Sequence, residues 1–186
     1  MAIKRLTIDG YGQVELNNVA FRRDGRIEAQ CAADATDFAT APVENGMLLA
    51  VDNVTRTVKF AKDGTLPIAL VYSAEHTYDA TEAGLKSFKL GKDDVLPRLG
   101  YTALADKFTT NCIAYDDGEF ATEDTLKEAL KNIGTTPIYG GACNIGAIKL
   151  SKTAPAYGPV YRVVLAYTMP DGQFGVKLQQ MPEIVG

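Results

Sequence analysis

The chain has 186 residues, 46% of them apolar and 23% charged, proportions that suit one folded domain or at most two small ones. Disorder, a collagen repeat and a coiled coil are excluded for most of the sequence on that balance. With 19 basic and 23 acidic side chains the net charge is −4, which is the wrong sign for wrapping nucleic acid, where phosphate binding needs a positive surface.

Taken from the N-terminus, Ile3, Leu6 and Ile8 are spaced among Lys4 and Arg5. The spacing fits an edge strand of the protein's own sheet, and it equally fits an extended arm. Val19 and Phe21 then alternate with polar neighbours, Asp24-Gly25 intervenes, and Ile27, Ala29 and Cys31 alternate again. This reads as a hairpin, because Asp-Gly tolerates the positive φ of a tight turn. Residues 32–45 are rich in Ala, Thr and Asp, contain Pro42 and lack a period. They read as a surface linker or extended arm. The chain thus divides into an N-terminal hairpin and arm over residues 1–45 and a β-rich main domain over residues 46–186.

In that main part, Val54, Arg56, Val58 and Phe60 lead through Asp63-Gly64 to Leu66, Ile68, Leu70 and Tyr72, a second predicted hairpin. A weak helical turn is expected over residues 80–87, with Gly84 against it. A helix is predicted over residues 122–133. Thr122 can cap it, Glu123 and Asp124 suit the positive end of its dipole, and Leu126, Leu130 and Ile133 form one stripe. Glu123 and Lys127 make an i, i+4 pair, and Gly134 is placed to end the helix. Residues 151–159 read as an exposed loop. Tyr161, Val163, Leu165 and Tyr167 precede Pro170-Asp171-Gly172, and Phe174, Val176 and Leu178 return, a third hairpin.

Five Asp-Gly pairs favour antiparallel hairpins over a parallel sheet with crossover helices. The predicted fold class is α+β, mainly antiparallel β, a small barrel or sandwich with hairpins and one short amphipathic helix. Expected core residues are Leu49, Val51, Val58, Phe60, Ile68, Leu70, Leu99, Phe108, Leu126, Leu130, Val163, Leu165, Phe174 and Val176.

The longest apolar runs, residues 47–51 and 68–72, are too short to span a bilayer, and no secretory signal pattern follows Lys4 and Arg5. The expectation is a soluble, unsecreted protein. Cys31, Cys112 and Cys143 are widely spaced and form no Cys-x-x-Cys pair, and His76 is the only histidine. Buried, reduced thiols fit this pattern better than a zinc site.

Catalytic constellations are scarce in the sequence. A nucleophilic site would have to use His76 with Cys112, Cys143 or Glu75. Residues 139–146 are glycine-rich but lack the Lys-Ser/Thr ending and the following helix of a phosphate loop. The acidic pairs Asp93-Asp94, Asp116-Asp117 and Glu123-Asp124 read as solvated turns rather than ligands. No catalytic residue, metal or cofactor is expected. Nine tyrosines without a tryptophan, among them Tyr72, Tyr78, Tyr101, Tyr139, Tyr157 and Tyr167, suit either a protein interface or simple strand packing.

Residues 45–111 carry a resemblance. Asn45-Gly46-Met47-Leu48-Leu49-Ala50-Val51 is followed by Val58-Lys59-Phe60 and by Pro67-Ile68-Ala69-Leu70-Val71-Tyr72-Ser73-Ala74-Glu75. Next come Tyr78-Asp79, Gly84-Leu85-Lys86-Ser87-Phe88, Leu96-Pro97-Arg98-Leu99-Gly100 and Asp106-Lys107-Phe108-Thr109-Thr110-Asn111. This order resembles the small capsid decoration and head proteins of tailed bacteriophages. The resemblance implies a non-enzymatic virion protein, assembled in the bacterial cytoplasm, that binds the capsid exterior and reinforces contacts between capsomers. The implied partners are the major capsid protein and neighbouring copies of the chain, with no nucleic acid and no membrane. On that reading Ile3, Lys4, Arg5, Leu6 and Ile8 are the expected capsid contact. Alternatives are a head–tail joining or tail-associated protein, or a small hydrolase using His76.

Overall fold

The computed structural model describes residues 2–73, 85–90 and 96–182. In chain order the elements are β1 (Ile3–Arg5), β2 (Val14–Asn18), α1 (Phe21–Asp24), β3 (Ile27–Glu28), β4 (Ala32–Ala33), β5 (Leu48–Asp52), β6 (Thr57–Phe60) and β7 (Ile68–Val71). They continue with β8 (Leu99–Gly100), β9 (Lys107–Thr110), β10 (Ile113–Asp116), α2 (Glu123–Leu130), β11 (Tyr139–Gly141), β12 (Ile148–Ser151), β13 (Tyr161–Thr168) and β14 (Phe174–Gln180). The described residues are therefore mostly β, with two short α-helices.

Two sheets form, in the orders β1-β10-β12-β11-β13-β14-β9-β2 and β3-β8-β7-β5-β6-β4. Pairing is antiparallel except for β10 with β12 and β4 with β6. Both sheets must curl. In the larger one β10 and β9 are five strand steps apart, about 24 Å if flat, yet residues 111–112 alone join them and reach about 10 Å. In the smaller one β3 and β4 are opposite edges, yet only residues 29–31 lie between them. Neither sheet closes into a barrel.

The central strands of the smaller sheet are buried on both faces. Leu48, Ala50, Ile68, Leu70 and Tyr72 enter one core with Phe108, Ile113, Leu126, Leu150 and Val176. The alternate residues Leu49, Val51, Ala69 and Val71 enter a second core with Met47, Cys112, Ala114 and Cys143. This explains why residues 47–51 and 68–72 read as continuous apolar runs rather than as alternation.

Two predicted hairpins are not formed. Gly25, at φ 70°, is the left-handed C-cap of α1, and its N–H returns to the Phe21 carbonyl. The residues on either side, β2 and β3, lie in different sheets. The same glycine chemistry serves a helix end as well as a hairpin. At Asp63-Gly64 the flanking strands β6 and β7 do not pair, because β5 sits between them and bonds both. The hairpin there is β5–β6, turned over residues 53–56, where the Asp52 carboxylate accepts from the N–H groups of Val54 and Thr55.

The third hairpin, β13–β14, forms as predicted, with the Gly172 N–H on the Met169 carbonyl. A register shift between Val163 and Leu165 alters its faces: Leu165, expected in the core, is 46% exposed, and Ala166 packs inward instead. One inserted residue reverses the alternation beyond it. Phe60 and Phe174 are half-buried, and the other expected core residues are buried.

Helix α2 starts at the Thr122 cap, which exchanges bonds with Thr125 in a capping box, and Glu123–Lys127 pairs at 2.6 Å. It ends at Leu130 with Lys131 as C-cap, short of Ile133 and Gly134. Of the turn expected over residues 80–87, the part 80–84 lies outside the described residues, and Leu85–Ser87 is a 3-10 turn.

Residues 32–45 are a packed segment and not a surface arm. Ala32–Ala33 is β4, Phe38 and Val43 are buried in the second core, and Val43 bridges Leu90. Residues 3–8 resolve the other alternative in favour of an edge strand: β1 bonds β10, Leu6 is 2% exposed, and Ile3 and Ile8 pack on the cores.

Candidate functional site

Strand register builds the floor of a groove on the larger sheet. Ile3 stands opposite Asp116, and Ser151 stands opposite Tyr139, giving one row across β1, β10, β12 and β11. Two residues along, Arg5, Ala114, Lys149 and Gly141 form the following row on the same face. Residues 153–157 fold back over this floor as a wall. Pro155 lies so close that a Cβ on Gly141 would sit 2.5 Å from it, so only glycine admits the fold-back. Tyr157 fixes the loop's far end, donating to the Ala61 carbonyl at 3.1 Å. The result is a preformed groove of about 440 Å³, with Lys62 and Asn144 at its margins.

Two cations reach the groove. Lys62 is paired with Asp37 at 2.7 Å. Lys149 is half-buried, and no carboxylate lies within ion-pair distance of it among the described residues. The one thiol lining the groove is Cys143, which is 3% exposed. Its thiol donates to the Ala147 carbonyl at 3.0 Å, and burial raises its pKa against the opposing pull of the Ile145 N–H and Lys149. The arrangement can hold an anion, and its thiol stays protonated at neutral pH.

A second polar cluster lies where the two cores meet. The Glu44 carboxylate, 4% exposed, accepts from both terminal nitrogens of Arg5 and from the Gly12 N–H. Burial opposes the Arg5 charge, but the Glu44 hydrogen bonds together with the electrostatic pull of Cys112 and Glu44 outweigh it and hold the guanidinium protonated beyond its ordinary range. Cys112 lies against this pair. Burial pushes its pKa from 9.0 up to about 12, with Arg5 pulling down and Glu44 pushing up. The guanidinium of Arg5, one of the residues expected at a capsid contact, is thus paired with Glu44.

Of the remaining sequence expectations, Leu6 is buried, and Lys4 is exposed beside Asp117 at 3.5 Å. His76, Glu75, Tyr78, Asp93 and Asp94 lie outside the described residues. Three of the four carboxylates in Asp116-Asp117 and Glu123-Asp124 are bonded within the fold: Asp116 takes the Gly118 N–H, Asp117 the Ala2 N–H, and Glu123 bonds Thr7 and Lys127. Among the described residues no three His, Cys, Asp or Glu side chains converge as metal ligands. No described helix is long and apolar enough to cross a membrane.

Sequence reading did not find the groove. Ile148-Lys149-Leu150 alternates like any half-buried strand, and Tyr139 and Tyr157 stood among many β-region tyrosines. The glycine pair at residues 140–141 was the one available signal, since glycine marks close backbone approach. No family model, curated protein or solved structure matches the chain.

The thiols give a direct test. In the folded protein none of the three, all buried, is expected to react with a thiol reagent at pH 8, and all three react in denaturant. Because the folded state keeps the Cys112 proton after an unfolded chain has lost it, its contribution to stability is intact below about pH 9. It is lost as pH rises toward 12. Urea midpoints should therefore hold from pH 7 to about 9 and fall above, less steeply in Cys112→Ala. Midpoints unchanged up to pH 11 would contradict the burial of this thiol.

Proposed function

We propose that the protein is a non-enzymatic virion protein of a tailed bacteriophage, one that decorates the capsid exterior and reinforces capsomer contacts. The observation that carries the reading is the open edge at β1, the first strand of the larger sheet. Among the described residues Ile3–Arg5 pairs with β10 on one side only, which leaves the backbone groups of its other side for a strand of a neighbouring subunit. Lys4 projects from this strand with a 51% exposed side chain. The resemblance of residues 45–111 to phage head proteins supports the same reading. So does the sandwich-like α+β arrangement of two curled sheets, whose outermost strands present edges. Buried, protonated thiols at Cys112 and Cys143 give the hydrolase alternative no activated sulfur. Many weak contacts on a repeated lattice add up, so a short edge is sufficient per copy.

The contact set expected at residues 3–8 narrows to the free edge of β1 and Lys4, because Leu6 and Arg5 are used within the fold. Lys4→Glu should leave the fold intact, since its pair with Asp117 is exposed and worth at most about 1 kcal/mol. It should weaken binding to undecorated capsids of the encoding phage, measured by co-sedimentation, by roughly tenfold through charge reversal. Electron microscopy of labelled virions provides the decisive measurement. Label over the capsid shell supports decoration, and label at the neck or tail, or none, overturns it.

A further inference from the structure

We propose that the groove between β11, β12 and the loop at residues 153–157 docks an acidic, extended segment of a partner protein, with a carboxylate seated on Lys149. Lys149 is the starting point. It occupies an inner strand of the larger sheet, between β10 and β11, where lysine is unfavoured and where its neighbours across the sheet are Ala114 and Gly141. Half-buried and without a carboxylate partner among the described residues, it is a cation left for a docked carboxylate to neutralise. The other cation at the rim, Lys62, is already paired.

The rest of the groove selects the form of that counter-ion. Tyr139, Pro155 and Tyr157 offer flat, amphipathic contact on either side of the charge. Ile3 of the open edge strand lines the groove's end, so a chain seated in the groove can continue beside β1 as an added strand. A free small anion would use Lys149 with polar groups such as Asn144, Ser151 and Thr153, whereas an extended peptide uses the charge, the aromatic walls and the edge together. The walls are pinned through Gly141 and through Tyr157 to Ala61, so the site needs little ordering on binding. The inference deepens the decoration reading by naming the docking surface, and it rests on that reading only for the partner's identity.

The experiment uses the full chain, isotope-labelled for NMR, with three probes. These are the capped peptide Leu-Asp-Val-Glu-Leu, its Asn/Gln counterpart, and inorganic phosphate. The acidic peptide should shift the resonances of Ala142, Asn144, Ala154 and Ala156 and of β1, with the neutral peptide at least tenfold weaker. Lys149→Met should keep the native spectrum elsewhere and lose the binding by roughly tenfold. The proposal is overturned if the acidic peptide shifts nothing in the groove or if the neutral peptide binds equally. Phosphate reproducing the whole perturbation would also overturn it, since the site would then be a small-anion site. Capsid co-sedimentation of Lys149→Met is run in parallel. Wild-type protein that binds the peptide but no capsid would sink the decoration reading and leave the groove assignment standing.

Discussion

Glu44→Ala is expected to lower the unfolding free energy by about 3 kcal/mol, the low end of the cost of breaking a buried ion pair. The carboxylate is 4% exposed and gathers three donors from two distant stretches of chain, Arg5 and Gly12. Its removal leaves the Gly12 N–H without an acceptor, and a buried orphan donor alone costs about 1–3 kcal/mol. The Arg5 side chain, 31% exposed, recovers part of its solvation from water, which keeps the total from rising further. Glu44→Gln retains an oxygen for Gly12 and should lose about half as much, on the same per-bond magnitudes. Urea titration measures both. A loss below about 1 kcal/mol for Glu44→Ala, within the range of exposed pairs, would mean that the carboxylate is solvated and that the junction does not tie β1 to the second core.

Phe21→Ala should cost about 3–5 kcal/mol, as for other fully buried aromatic truncations. The ring is completely buried, 4.9 Å from that of Tyr72, and lies over Gly100, where a Cβ would come within 2.4 Å of it. Gly100→Ala alone should therefore destabilise, by about 1–3 kcal/mol for an overpacked site. In the Phe21→Ala background the same alanine fills part of the vacated volume, so its effect should shrink or reverse. This non-additivity is the sharper test, because contacting residues couple and distant ones do not. Two additive losses would show that the ring does not rest on Gly100.

The failed hairpins explain why the rest of the fold was hard to read. Strands do form within both predicted segments, β6 in residues 54–60 and β7 in residues 66–72. What alternation cannot carry is the choice of neighbour, and β5 inserted itself between the two. Leu165 failed for a subtler reason, because a single bulge two residues earlier exchanged the faces of the strand. Residues 32–45 looked like an arm because Phe38 and Val43 are isolated in sequence, and their partners, Phe60 and Leu90, are supplied from far along the chain.

By itself the sequence determined the β-rich class, the buried free thiols, the capped start of α2 and the β13–β14 hairpin. Each depends on composition or on contacts within a dozen residues, where side-chain periodicity and turn chemistry act directly. Only the tertiary structure decided which strands pair, that Arg5 bonds Glu44, and that Lys149 lies in a groove under the fold-back at residues 153–157. Those outcomes join residues tens of positions apart, and the free energy that selects among such pairings comes from burying whole faces at once, which no local window of sequence contains.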